Sequence, residues 1–178
     1  MKNVIVVTSS PRKNGNSEIL AQKFAEGAKS AGNQANIIAV CNIDLKFCTG
    51  CLYCNTHSKC VLNDGMNTLY ENFQNADVLV FATPIYYYSV CGQLKTLLDR
   101  LNPLFVRKNK FKDVYLLATA ADDDDSAMDG AIKDIQGWVS CFDGVTLKGV
   151  IRGIGVTDKG EINNTTYPQQ AYEMGKNI

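Results

Sequence analysis

Apolar positions along this chain follow two rhythms, and the rhythms alternate from one end to the other. Short apolar runs at Val4-Ile5-Val6-Val7, Asn36 to Val40, Val78-Leu79-Val80-Phe81-Ala82, Val114 to Thr119 and Leu147 to Ile154 are too short for core helices. They predict strands, several of them buried on both faces. The third is expected to stop at Thr83-Pro84, because proline cannot continue a central ladder. Between the runs, apolar residues recur at helical spacing. Glu18 to Ala31 places Ile19, Leu20, Phe24, Gly27, Ala28 and Ala31 on one face, with Gly32 as a left-handed cap. A weaker helix spans Met66 to Gln74, with Met66, Leu69, Tyr70 and Phe73 as core. Ser89 to Asn102 turns Leu94, Leu97, Leu98 and Leu101 to one side and is ended by Pro103. Ser126 to Phe142 buries Met128, Ile132, Ile135, Trp138 and Val139, and a last short helix runs from Pro168 to Lys176.

Strands alternating with helices imply a parallel sheet covered on both faces by right-handed crossovers. Five of each predict a three-layer α/β sandwich with strand order 2-1-3-4-5. In that order the loops after strands 1, 3 and 4 meet at one sheet edge. Ser10 to Ser17, Pro84 to Ser89 and Thr119 to Asp122 should therefore line one pocket.

Composition narrows the picture. The 178 residues suit one domain at roughly 150 residues per domain. Basic and acidic side chains balance at 18 each, and no basic stripe interleaves with aromatics, so nucleic acid is not an expected partner. No apolar stretch reads as a signal peptide or membrane span, and the expected setting is cytoplasmic. Seven cysteines, four of them between Cys48 and Cys60, favour metal, redox or plain thiol roles over a disulfide framework.

The candidate chemistry starts in the loop Thr8-Ser9-Ser10-Pro11-Arg12-Lys13-Asn14-Gly15-Asn16-Ser17. A polar loop between a buried strand and a helix aims backbone N–H groups and the positive end of the helix dipole at one spot. Ser9, Ser10, Asn16 and Ser17 add hydrogen-bonding side chains, Arg12 a fork of donors and Lys13 a further charge, which together suit a phosphate. An ordinary strand-to-helix turn capped by Ser17 would show the same residue types. At the other end of the expected pocket, Ile85-Tyr86-Tyr87-Tyr88-Ser89 brings three tyrosines. A phosphate cradle facing an aromatic loop fits a flat heteroaromatic ring with a phosphorylated tail, and FMN is the natural candidate. The Pro84-Ile85-Tyr86 turn would offer backbone N–H groups to its ring, and a tyrosine would pack on its face, unless the tyrosines only fasten the loop to the sheet. Thr119 and Ala120 complete the expected lining. Asp122 to Asp125 are expected to favour a helix N-terminus and point outward rather than bind a cation. His57, between Cys54 and Cys60, is expected in solvent, with metal ligation as the alternative.

These stretches resemble the flavodoxin-like NAD(P)H-dependent FMN reductases and the related iron–sulfur flavoproteins. The resemblance rests on Ser10-Pro11-Arg12 with Asn16-Ser17, and on Thr83-Pro84-Ile85-Tyr86, Ser89-Val90, Gln93-Leu94-Lys95 and Asp99-Arg100. It extends to Cys48-Thr49-Gly50-Cys51 and Gly153-Ile154-Gly155-Val156, with Ser9 standing where the family usually has glycine. It implies a flavodoxin-like fold that binds FMN at Ser10, Pro11, Arg12, Asn16, Ser17, Pro84, Ile85, Tyr86, Tyr87, Ser89, Thr119 and Ala120. NADH or NADPH would give hydride to the flavin, which passes electrons to a flavin, quinone or similar acceptor. The cofactor carries that chemistry, so no catalytic side chain is assigned. Homo-oligomers, dimers or tetramers, are common in the family. A flavodoxin-type electron carrier is a competing reading, disfavoured by the neutral charge and the Pro-Arg loop.

Cys48, Cys51, Cys54 and Cys60 are spaced C-x2-C-x2-C-x5-C, a compact set of thiolates for a [4Fe–4S] cluster or, less readily, zinc. Similarly spaced cysteines also occur in family members without a cluster, where the thiols pack, meet a neighbouring subunit or form a redox pair. Around Lys59 no residue offers the sulfurs an evident hydrogen-bond partner. On sequence alone the cluster-free reductase leads and the iron–sulfur flavoprotein is the alternative.

Overall fold

Side chains alternate across a strand, and here both faces are apolar. Val4, Val6, Val78 and Val80 point to one side of the sheet, and Ile5, Val7, Leu79 and Phe81 to the other. The computed structural model describes residues 1–178. In chain order its elements are β1 (Asn3–Thr8), α1 (Asn16–Ser30), β2 (Gln34–Ala39), α2 (Tyr53–His57), α3 (Tyr70–Gln74), β3 (Val78–Tyr86) and β4 (Ser89–Val90). They continue with α4 (Gly92–Arg100), β5 (Asp113–Thr119), α5 (Asp129–Val139), β6 (Thr146–Gly153) and α6 (Tyr167–Lys176). Five strands pair in parallel as β2-β1-β3-β5-β6, the expected 2-1-3-4-5 arrangement, and β4 adds a short antiparallel partner to β3. The fold is flavodoxin-like.

Helices α1 and α6 cover one face and α3, α4 and α5 the other. Phe24 and Leu20 fill the first layer, and Phe73, Phe81, Leu94, Leu97 and Phe111 the second, all fully buried. Each such side chain contributes on the order of 1.5–3 kcal/mol. Glycine lets α1 and α6 touch backbone to backbone. A Cβ at Gly27 would stand 2.0 Å from the Tyr172 carbonyl oxygen, and one at Gly175 would stand 2.0 Å from that of Phe24.

Several boundaries differ from expectation. β3 does not stop at Pro84 but runs through it to Tyr86. The pairing of β1 with β3 ends at Thr8 and Ala82, so at Pro84 only β5 flanks β3 and the missing N–H interrupts no central ladder. Ser89 belongs to the hairpin rather than a helix, and α4 starts at Gly92. Pro103 lies inside a 3-10 turn, Asn102–Val106, where proline fits a first turn. α1 begins at Asn16 behind Gly15, so Ser17 is not its cap, and Ala31 is exposed beyond its end. The helices expected over Met66 to Gln74 and Ser126 to Phe142 each open as a 3-10 turn, Gly65–Thr68 and Asp125–Met128. No helix is long and apolar enough to cross a membrane.

Candidate functional site

At the carboxyl ends of β1, β3 and β5 the three expected loops meet around a cleft of about 100 Å³. Ser10, Arg12, Gly15, Asn16 and Ser17 line it from the loop after β1 and the start of α1, and Pro84, Ile85, Tyr86 and Thr119 from β3 and β5. The first turn of α1 contributes Asn16 and Ser17 to the lining. The amides of Asn16, Ser17 and Glu18 make no backbone hydrogen bond, as the first turn of any helix leaves them. Ser17 is 1% exposed, and its Oγ has no hydrogen-bond partner in the chain. A buried hydroxyl left unpaired costs about 1–3 kcal/mol, which a ligand oxygen would offset. Gly15 brings the backbone close. A Cβ there would lie 2.9 Å from the Arg12 carbonyl oxygen and 3.2 Å from Ser10 Oγ. Ser10 Oγ also accepts from the Arg12 amide at 3.1 Å, which tightens the turn. Free first-turn amides, an orphaned hydroxyl, an arginine, and no Cβ in the way are chemically suited to an anion.

The far end of the chain closes the loop from outside. Arg12 Nη1 donates to the Thr157 carbonyl at 2.8 Å, and Asn16 Nδ2 to that of Asp158 at 3.0 Å. Asn16 Oδ1 accepts from the Ile162 amide at 3.3 Å. Val156 and Thr157 therefore line the cleft, though neither was expected, and Ala121 joins them from the expected stretch Thr119 to Asp122. The glycines just before Val156 were visible in the sequence, but the return of that segment to the first loop is a long-range contact with no local pattern.

Other expected residues lie elsewhere. Ser9 is buried and donates to the Ala82 carbonyl at 3.0 Å, so its hydroxyl serves the sheet. Pro11 faces a neighbouring groove with Val40 and Cys41. Lys13 is exposed outside the lining. Ala120 is buried in backbone pairing with Gly153 and Val156, and its neighbour Ala121 takes the place beside the cleft. Ser89 Oγ donates to Asp134 and fastens the hairpin to α5. Tyr86 lines the cleft, whereas Tyr87 is fully exposed. Tyr87 and Tyr88 form the two-residue turn between β3 and β4 with φ of 50° and 63°, a left-handed pair that asparagine and glycine usually occupy. Tyr88 Oη donates to Asp122 Oδ2 at 3.1 Å, and this bond holds the phenol above the ordinary tyrosine range.

Three aspartates of the run have tasks of their own. Asp122 takes the Tyr88 hydroxyl, Asp124 caps the turn at Ser126, and Asp125 pairs with Arg152. Asp123, Asp124 and Asp125 are exposed.

The four cysteines share a second, smaller cavity of about 30 Å³. Cys54 is buried and Cys60 half-buried, while Cys48 and Cys51 are exposed. A hydrogen bond from the Tyr53 amide and one from Thr49 draw the Cys51 thiol below its usual range. No three histidine, cysteine, aspartate or glutamate side chains converge closely enough to share a metal ion. The donor set suits iron or zinc by its chemistry, and the outer sulfurs must approach the inner ones to hold it. His57 is exposed and stacks on Tyr53 at 3.8 Å between ring centroids. Two of the sulfurs do have partners from beyond the loop, contrary to the reading around Lys59: Asn102 Nδ2 donates to Cys54 Sγ and Arg100 Nη2 to Cys60 Sγ.

Comparison with known proteins identifies the family and the fold. The model of a family described as NADPH-dependent FMN reductase matches residues 2–155. An iron–sulfur flavoprotein of Methanocaldococcus jannaschii is 31% identical over 110 residues, 60% of this chain and 57% of the relative. A putative NAD(P)H-dependent FMN-containing oxidoreductase of Bacillus subtilis is 24% identical over 85% of this chain and 84% of its own length. Among solved structures, an azoreductase from Bacillus anthracis superimposes with a TM-score of 0.75 over the whole of both chains at 16% identity, a likeness of fold. The chain spans about half the length of the curated iron–sulfur flavoproteins it matches.

Proposed function

Since the chain belongs to the NADPH-dependent FMN reductase family, we infer that it is an FMN-dependent oxidoreductase whose cleft at the ends of β1, β3 and β5 holds the FMN phosphate. The observation that carries this reading is the buried, unpaired Ser17 Oγ beside free first-turn amides, in a lining that also contains Arg12. Ser10, Arg12, Asn16 and Ser17 would bind the phosphate, with Gly15 allowing the close approach. Ile85, Tyr86 and Thr119 would place the ring, and the Tyr88 bond to Asp122 would keep the hairpin in position beside it. Bound FMN supplies the two-electron chemistry, taking hydride from NADH or NADPH and passing electrons to a flavin, quinone or similar acceptor. The chain's own work is to bind, orient and exclude water, and no side chain is assigned a proton transfer.

Anaerobic addition of NADH or NADPH to FMN-loaded protein should bleach the flavin band. Colour that persists with both would instead identify a flavodoxin-type carrier, and failure to take up FMN would remove the reading altogether. We further infer a homo-oligomer, dimer or tetramer, in a cytoplasmic setting. Phe47, Leu52 and Phe105 stand 80, 62 and 57% exposed, which favours burial against another subunit. Light scattering that shows a monomer would contradict this.

For the cysteine loop the reading is a [4Fe–4S] cluster on Cys48, Cys51, Cys54 and Cys60. It is supported by their shared cavity and by the iron–sulfur flavoproteins among the relatives. About four iron and four sulfide per chain after anaerobic purification is the expected result, and none would return the loop to free thiols.

A further inference from the structure

The inner half of the four-cysteine site is held from a distant part of the chain. Asn102, just after α4, donates its side-chain N–H to Cys54 Sγ at 2.9 Å, and Arg100 Nη2 reaches Cys60 Sγ at 3.5 Å. Both residues line the cavity that the cysteines line. Arg100 is 1% exposed. Its guanidinium forks onto Asp64, and Nη1 also donates to the Lys46 carbonyl at 2.7 Å. Nε remains buried without an acceptor. A fully buried cation with an unused donor thus stands at the wall of a thiol-lined cavity. The outer half is built differently. Phe47 to Cys51, which carries Cys48 and Cys51, makes no backbone–backbone hydrogen bond, and Gly50 and Leu52 have φ of 66° and 58°.

We propose that Asn102 and Arg100 are positioning residues that hold Cys54 and Cys60 as the preset half of the metal–thiolate centre and raise its reduction potential. Cys48 and Cys51 then close on it from the unpaired segment when it fills. This rests on the [4Fe–4S] reading above. An N–H directed at a ligating sulfur withdraws electron density from it and favours the reduced centre. A buried guanidinium at the same wall offsets the negative charge that four thiolates bring into a low-dielectric site.

The test is anaerobic loading of the whole chain with ferrous iron and sulfide, followed by iron and sulfide analysis and a spectroscopically monitored redox titration. At equal iron content, Asn102→Ala should have a midpoint lower by about 59 mV, the one-electron equivalent of a tenfold change in the reduced-to-oxidised ratio. Arg100→Lys keeps a charge against Asp64 but gives up the fork. It should shift the midpoint in the same direction, with melting of the apoprotein showing that the fold survives. If Asn102→Ala loads poorly, Asn102→Ser, which restores a donor, should recover loading, and no recovery overturns the proposal. A wild-type protein that takes up iron, together with an Asn102→Ala midpoint equal to wild type, overturns the proposal and leaves the cluster reading standing. A wild-type protein that takes up no iron overturns both.

Discussion

Ser17 separates a binding role from a folding role more cleanly than any other single residue of the cleft. Its hydroxyl is buried and unpaired, so Ser17→Ala removes a desolvated group that contributes nothing to the apoprotein. The variant should melt at the same temperature as wild type or slightly higher, while its FMN dissociation constant rises about tenfold, the loss of roughly 1.4 kcal/mol. Equal FMN affinity in a titration of both proteins would take Ser17 out of the site. Asp64 offers the converse case, a residue whose work is structural. Burial pushes its carboxyl up, but hydrogen bonds from Arg100 and from the Lys46 and Met66 amides outweigh that and leave it below the usual carboxylate range. A depressed folded-state pKa gives stability that is present above the unfolded value, about 3.9, and is lost as pH falls through the folded one. Melting temperature should therefore decline on acidification below about pH 4. Asp64→Asn should lose about 3–5 kcal/mol near neutrality, because it strands the Arg100 charge, and should flatten that acid limb. An unchanged acid limb in the variant would assign the pH dependence to other carboxylates.

Among the elements, the β3–β4 hairpin has a local conformation that disagrees with its sequence. Tyr87 and Tyr88 both sit in the left-handed region, at about 1–2 kcal/mol per residue, yet Tyr87 is fully exposed and Gly130 beneath them admits the Tyr88 backbone. Tyr87→Asn should raise stability by about 1 kcal/mol in denaturant unfolding, since it relieves φ without losing a buried contact. Unchanged or lower stability would mean that the turn is not strained there. The strain also explains why this element was hard to read: three consecutive tyrosines carry no hairpin signal, and Pro84 argued for an earlier stop. The other strands were legible because each is an apolar run of its own, and the helices because their leucines and phenylalanines recur at helical spacing. What the pattern could not carry were contacts made across the chain. Thr157 on Arg12, Asp158 on Asn16, and Asn102 on Cys54 join segments separated by 145, 142 and 48 positions. Such pairs follow from topology, and no local period marks them.

For the whole molecule, FMN binding should appear as global stability. At a concentration a hundredfold above its dissociation constant the ligand adds about 2.7 kcal/mol, roughly 5–10 °C in melting temperature for a chain of this size. A melting temperature independent of FMN concentration would be inconsistent with a site in the native fold. The increase should not spread evenly, because the loop between β1 and α1 is tied to residues 157 to 162 through Arg12 and Asn16. The Asn16 amide group bonds one way to Asp158 and the other way to Ile162, ahead of the helix that leans on α1 through Gly27 and Gly175. Whatever steadies Asn16 steadies that clasp. Deuterium uptake at the amides of residues 157 to 162 should slow when FMN is added, although none but Thr157 borders the cleft, and identical uptake with and without FMN would show the clasp to be uncoupled. Read in the other direction, the carboxyl-terminal helix becomes a gauge of occupancy. A chain that has lost its flavin should fray first at its far end, where a protease would find it before any change reached the central strands.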